Sequence, residues 1–166
     1  MGPASPRERA EVVVVIPTKN EEEGIGKVID GLHQALKGRS YAIVVVDGRS
    51  TDRTVEIARS KGADVIAQEG AGYGDAYIQG FTYAIEKYDP RVLVMIDGDG
   101  TYDPLELPKL LEALDRADIV LGNRFANMMP GAMTTVNKIG NKVLSWLARV
   151  LIGVNVKDTQ SGYRAI

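Results

Sequence analysis

Residues 12–36 read VVVVIPTKNEEEGIGKVIDGLHQAL, and the change of pattern inside that stretch decides the fold. Residues 12–16 are five consecutive β-branched residues with no polar alternation, which suits a strand buried on both faces of a parallel sheet. The chain then turns polar. From Ile25 onward Val28, Ile29, Leu32 and Leu36 recur at helical spacing along one stripe. Asn20 is the expected N-cap, and Glu21, Glu22 and Glu23 fill the first turn, where carboxylates suit the helix dipole.

The same alternation repeats outward from this unit. Apolar runs at 41–46, 63–67 and 92–96 predict three more buried strands, and 119–121 a shorter fifth. Between them, 51–61 and 75–88 predict helices, the latter with Tyr77, Ile78, Phe81, Ala84 and Ile85 inward. Asp103 caps a fourth helix that has Pro104 at its first position and Leu107, Leu110, Leu111 and Leu114 on one side. Strand and helix in regular succession predict an α/β domain with a mostly parallel sheet. Ligands in such sheets bind beyond the carboxyl ends of the strands, which here means 17–20, 47–50, 68–74 and 97–103. After Leu121 the pattern changes to a loop over 122–134 with Met128, Met129 and Met133, then a helix over 135–152. Lys138, Lys142 and Arg149 interleave with that helix's apolar residues, which suits core packing or the edge of an anionic membrane.

Composition bounds the function. The chain has 166 residues, 45% hydrophobic and 25% charged, which predicts one globular domain over 12–166 behind a flexible leader at 1–11. Without cysteine there is no disulfide, thiolate metal site or cysteine nucleophile, and with His33 alone there is no histidine-rich metal site. A net charge of -2 argues against a general nucleic-acid binder. No stretch is apolar enough to span a bilayer, and the first residues lack the apolar run of a signal peptide.

Three loops carry chemistry. Asp97-Gly98-Asp99 follows the fourth strand directly, and two carboxylates at a strand end can converge on one hard cation such as Mg2+ or Mn2+. An acidic turn is the alternative, but capping employs one side chain and leaves two unexplained; Asp103 is the capping residue. The ligand spacing of an EF-hand is missing. Gly70-Ala71-Gly72-Tyr73-Gly74 opens the third helix, where backbone amides of Gly72 and Gly74 can approach a phosphate or ribose. Its GxGxG spacing after the third strand is not the dinucleotide fingerprint, and a ligand-free glycine turn remains open. Asp47 either contacts a base or ribose or fastens its own turn. Arg124 and Arg164 are candidate phosphate forks.

Four segments occur in a familiar order: VVIPTKNE at 14–21, VVDGRSTDRT at 45–54, the Asp97/Asp99 pair, and DTQSGYR at 158–164. The sequence resembles the family 2 glycosyltransferases of GT-A fold, a Rossmann-like mostly parallel sheet flanked by helices on both faces. Within them it is most similar to dolichol-phosphate mannose synthases and other polyprenyl-phosphate glycosyltransferases. The resemblance implies an inverting transfer of a hexose, mannose first, from GDP-mannose or alternatively UDP-glucose to a polyprenyl phosphate. Pro17, Asn20 and Glu21 would line the nucleotide pocket, with Asp47 on the base and Asp97 and Asp99 as the DxD motif binding metal and diphosphate. Arg124 would lie near the phosphates, Ser161 and Arg164 beside the acceptor, and Lys138 in the acceptor loop. Transfer to a soluble acceptor, or nucleotide-sugar binding without turnover, are the alternatives. The implied setting is cytoplasmic, in peripheral contact with the cytoplasmic membrane face. Members of the family usually continue past the SGYR stretch, so the domain is expected to be truncated at its C-terminus. An anchoring segment is then expected beyond Ile166 or on a partner. Gly48, Thr101 and Tyr73 depart from the family's common Asp, Gln and Lys at their positions.

Overall fold

The computed structural model describes residues 9–122 and 161–166. Four parallel strands form its centre: β1 (Val12–Thr18), β2 (Tyr41–Asp47), β3 (Asp64–Ala67) and β4 (Val92–Met95). Two short strands, β5 (Val120–Leu121) and β6 (Arg164–Ala165), complete a sheet of order β3-β2-β1-β4-β6-β5. β6 runs antiparallel to both neighbours, with Met95 opposite Arg164 and Val94 opposite Ala165. The helices are α1 (Ile25–Ala35), α2 (Thr54–Ser60), α3 (Tyr73–Tyr88) and α4 (Leu107–Ala113).

Because side chains alternate along a strand, β1 feeds two cores at once. Val12, Val14 and Ile16 pack with Ile25, Val28, Ile29 and Leu32 of α1 and with Leu107, Leu110 and Leu111 of α4. Val13 and Val15 face the other way, with Ala76, Tyr77, Ala84 and Tyr88 of α3. Both faces being covered, no polar alternation is needed, which is what the apolar runs predict.

Several local expectations are corrected. α1 starts at Ile25, with Gly24 as N-cap and no side-chain cap; Asn20 lies outside the helix. α2 starts at Thr54 instead of residue 51, where the Asp52 carboxylate accepts the Thr54 N–H at 3.0 Å. α3 begins two residues earlier than expected, and Ile78 and Ile85 face outward, 69% and 50% exposed. The inner face of α3 is instead lined by small residues. A Cβ on Gly80 would collide with Val15 and Val46, so the helix lies too close to the sheet for larger side chains. Of the expected leader, Ala10 is buried and donates its N–H to the Tyr88 carbonyl, whereas 1–8 lie outside the described residues. The expected methionine loop and the helix over 135–152 also lie outside them, apart from Gly122. Asp103 caps, accepting the Leu105 N–H at 2.9 Å, but what it starts is a 3-10 turn over Pro104–Glu106 that leads into α4.

From β1 the chain passes outward to β2 and β3, then returns through α3 to place β4 on the other side of β1. The strand order reverses between β1 and β4. Beyond the carboxyl ends at that reversal a crevice opens.

Candidate active site

The loop after β1 is fastened to the loop after β2. Asn20 adopts a left-handed backbone with φ 57°, donates its N–H to Ser50 Oγ at 2.9 Å, and accepts the Thr51 N–H on Oδ1 at 2.8 Å. Asparagine tolerates that conformation better than most residues. Glu21 donates its N–H to Thr54 Oγ1 at 2.8 Å. Asp47 is buried, and both carboxylate oxygens accept the Ser50 N–H, at 3.1 and 3.3 Å. Its carboxylate therefore fastens its own turn. Its neighbours Val46 and Gly48 line the crevice.

The crevice is a cleft of about 570 Å³ whose wall includes Pro17, Thr18 and Glu21, Gly48 and Arg49, Gln68, and the start of α3 at Gly72 and Tyr73. Asp97, Gly98 and Asp99 close its β4 side. Gly48 stands in a tight place: a Cβ would lie 3.2 Å from the Thr18 carbonyl oxygen and 3.3 Å from Gln68 Oε1. Thr18 Oγ1 is the buried side-chain polar atom left without a partner among the described residues. An orphaned hydroxyl in a cleft wall suits a polar ligand, since leaving it unpaired is costly.

Asp97 and Asp99 emerge from β4 with different surroundings. The Tyr73 hydroxyl donates to Asp97 Oδ1. Asp99 is exposed and accepts the Thr101 N–H and hydroxyl, each at 2.8 Å, on its two oxygens. Burial, then the charges of Asp99, Asp97 and Asp52, hold the Glu21 carboxyl above the usual carboxylate range. Negative charge thus accumulates at this wall. Among the described residues no three metal-ligating side chains converge. A cation here would draw on two carboxylates and complete its shell with phosphate oxygens and water, the usual manner of Mg2+ at phosphate sites. The hard oxygen donors and the acidic field fit that role.

The chain end closes the same wall. Gly162 donates its N–H to the Tyr102 hydroxyl oxygen at 2.6 Å, and a Cβ on Gly162 would lie 2.6 Å from Asp97 Oδ2. Ser161 is fully buried, its hydroxyl accepting the Tyr163 N–H at 3.3 Å, and it does not line the cleft. Arg164 sits on β6 beside Met95 and donates Nε–H to the Ser161 carbonyl at 2.8 Å. Gly74 lies in the first turn of α3, outside the cleft lining. Arg124 and Lys138 lie outside the described residues.

The structure thus gathers Pro17, Glu21, Gly72, Asp97 and Asp99 around one cleft and gives Asn20 and Asp47 supporting positions. Thr18 and Gly162 carry no signal of their own in the sequence, and Tyr73 stands out there only as a departure from a family pattern. Tyr73 and Gly162 owe their places to contacts 24 or more residues apart, such as Tyr73 with Asp97, and Thr18 to the lack of a partner for its buried hydroxyl; no local spacing encodes either.

Four likenesses to known proteins bear on this site. The family described as Glycosyl transferase family 2 matches residues 13–153. Glycosyltransferase AglJ of Haloferax volcanii is 40% identical over 156 residues, covering 93% of this chain and 49% of that protein. A dolichyl-phosphate hexose transferase of the same organism is 42% identical over 158 residues, covering 93% of this chain and 65% of its own length. Among solved structures, glucosyl-3-phosphoglycerate synthase from Mycobacterium tuberculosis, in complex with Mn2+ and UDP-glucose, superposes with a TM-score of 0.70. It is 25% identical and covers 95% of this chain and 55% of its own. The chain therefore spans about half to two thirds of the length of these three proteins.

Proposed function

The chain belongs to glycosyl transferase family 2 and has the GT-A fold, and from that premise we propose that it transfers a hexose from a nucleotide-diphosphate sugar to a polyprenyl phosphate. The observation that carries the reading is the pairing of Asp97 and Asp99 on the wall of the cleft at the β1/β4 reversal. Similarity to a dolichyl-phosphate hexose transferase supports the choice of acceptor.

In this reading Pro17, Thr18 and Glu21 frame the nucleotide. Asn20 ties the loop after β1 to the loop after β2, and Asp47 fastens the turn of the latter. The amides at the start of α3, from Gly72 toward Gly74, face donor oxygens with the favourable end of a sixteen-residue helix. Asp97 and Asp99 hold Mg2+ or Mn2+, which when bound supplies neutralisation of the charge growing on the leaving diphosphate. Arg124, Lys138 and Arg164 supply further cationic neutralisation and hold the acceptor phosphate, with Ser161 shaping the turn that positions Arg164.

The acceptor is already an anion at neutral pH, so its oxygen attacks the anomeric carbon without a strong general base. A new C–O bond forms as the bond to the diphosphate breaks, the configuration inverts, and the nucleoside diphosphate leaves with the electron pair. GDP-mannose is the preferred donor and UDP-glucose the alternative. A polyprenyl chain resides in a bilayer, so the protein works in peripheral contact with the membrane, on the cytoplasmic face where nucleotide sugars are made. Among the described residues no helix is long and apolar enough to cross a membrane.

Incubation with labelled GDP-mannose or UDP-glucose and vesicles containing a polyprenyl phosphate tests the reading. Label is expected in the lipid extract, dependent on the divalent cation. The likeness to glucosyl-3-phosphoglycerate synthase favours a soluble phosphorylated acceptor as the second reading. Label found only in the aqueous phase would select it. Binding of nucleotide with no transfer to either phase would leave a binding module.

A further inference from the structure

Tyr73 begins α3 at the mouth of the cleft and is 53% exposed, yet its hydroxyl is held inside the site. It donates to Asp97 Oδ1 and lies 3.1 Å from the Tyr77 hydroxyl, while the two rings meet edge-on with centroids 4.8 Å apart. Tyr77 itself is buried. From the opposite side Gly162 leaves room for a Cβ neither toward Asp97 Oδ2, at 2.6 Å, nor toward the Tyr73 hydroxyl, at 2.8 Å. The carboxylate is thus clasped between α3 and the 161–163 segment, with one oxygen engaged by a neutral donor.

A phenol O–H and a divalent cation make competing demands on that oxygen. Each draws on its lone pairs, and the positive end of the O–H dipole is repelled by a nearby cation. The flanking backbone has room for a change. Gly72 has φ 89°, and a Cβ on Gly72 or Gly74 would meet nothing within 4 Å. Tyr77 offers the displaced hydroxyl a second partner, so release does not strand a buried donor.

Resting on the reading that Asp97 and Asp99 hold a divalent cation, we propose that Tyr73 is a positioning residue that latches Asp97. It holds the carboxylate in the cleft wall while the cation is away and yields Oδ1 when the cation arrives. Mn2+ binding with UDP or GDP present, followed by electron paramagnetic resonance, tests this on the wild type, Tyr73→Phe and Asp99→Asn. Phenylalanine keeps the ring against Tyr77 and deletes only the competing hydroxyl. The variant is expected to bind Mn2+ about fivefold more tightly, the worth of one hydrogen bond. Wild type alone is expected to show a tyrosine ultraviolet difference signal on Mn2+ addition. Unchanged or weaker binding in Tyr73→Phe, with binding lost in Asp99→Asn, overturns the latch and leaves the cation site standing. Mn2+ binding that is absent from the wild type, or that survives Asp99→Asn undiminished, overturns the cation site and the latch together.

Discussion

Glu21 lines the same cleft as Asp97 and Asp99, and burial followed by their charges lifts its carboxyl above the usual range. The sign of the consequence follows from proton counting. Between the unfolded value of about 4.5 and the raised folded value, the folded chain binds more protons than the unfolded one. Stability from this group therefore falls as pH rises through that window, and the full cost is present at neutral pH. Glu21→Gln removes the cost. The variant is expected to melt above the wild type at pH 7 without metal, and the difference should vanish below about pH 4. Adding Mn2+ with a nucleoside diphosphate should shrink it as well, because a bound cation reverses the local field. Thermal melts across a pH series check this; a variant that melts no higher at pH 7 would contradict the acidic field. At this scale the two aspartates were legible, since a strand end followed by paired carboxylates is a local pattern. The strain they place on Glu21 was not, because residues 21 and 97 meet only once β1 and β4 lie side by side.

At the scale of elements, α1 reaches the site through a glycine. A Cβ on Gly24, its N-cap, would fall 2.6 Å from the Gly98 carbonyl oxygen and 2.6 Å from the Asp99 carbonyl carbon. The helix end therefore rests on the backbone of the acidic loop, and no flexible side chain is there to give way. Gly24→Ala is expected to cost about 1–3 kcal/mol in stability through overpacking and to weaken Mn2+-dependent nucleotide binding by displacing Asp99. Gly74→Ala is the contrasting case, since a Cβ there meets open space in the first turn of α3. It is expected to stabilise by roughly 0.5–1 kcal/mol through helix propensity. Denaturant titration of both variants separates the two effects, and equal midpoints would show that α1 does not bear on the loop. The same steric logic explains what the sequence concealed about α3. Ala76, Gly80 and Ala84 recur every four residues and allow close approach to β1 and β2, so Ile78 and Ile85 are turned out. A stripe of small residues is quieter than a stripe of large ones, and the expected inner face followed the large ones. β6 was invisible for another reason: two residues carry no periodicity, and their pairing with Val94 and Met95 depends on a distant part of the chain.

Across the described residues, the apolar residues of both cores lie under the sheet faces, while the cleft is lined by the loops beyond its carboxyl edge. The average composition and the charge of -2 conceal that division, although the succession of buried strands placed the cleft at the correct edge. Ligands at such an edge contact loops from β1, β2, β3 and β4 at once, and the unfolded chain offers no equivalent arrangement. Binding there must therefore stabilise the fold as a unit. At a nucleotide concentration one hundred times its dissociation constant the gain is about 2.7 kcal/mol, which for a domain of this size raises Tm by about 5–11 °C. UDP or GDP with Mn2+ is expected to give that rise, and the base with the larger shift is the base of the donor. The same nucleotide with a chelator should give less than about 1 °C, because two carboxylates repel a diphosphate when no cation lies between them. Asp99→Asn should melt near the wild type without ligand, since Asp99 is exposed and bonds only to Thr101 among the contacts described. It should gain nothing from Mn2+ and nucleotide together. A rise of equal size with the chelator present, or one retained in full by Asp99→Asn, would mean that the nucleotide is held by the loops of β1 to β3 alone and that the β4 carboxylates serve another purpose.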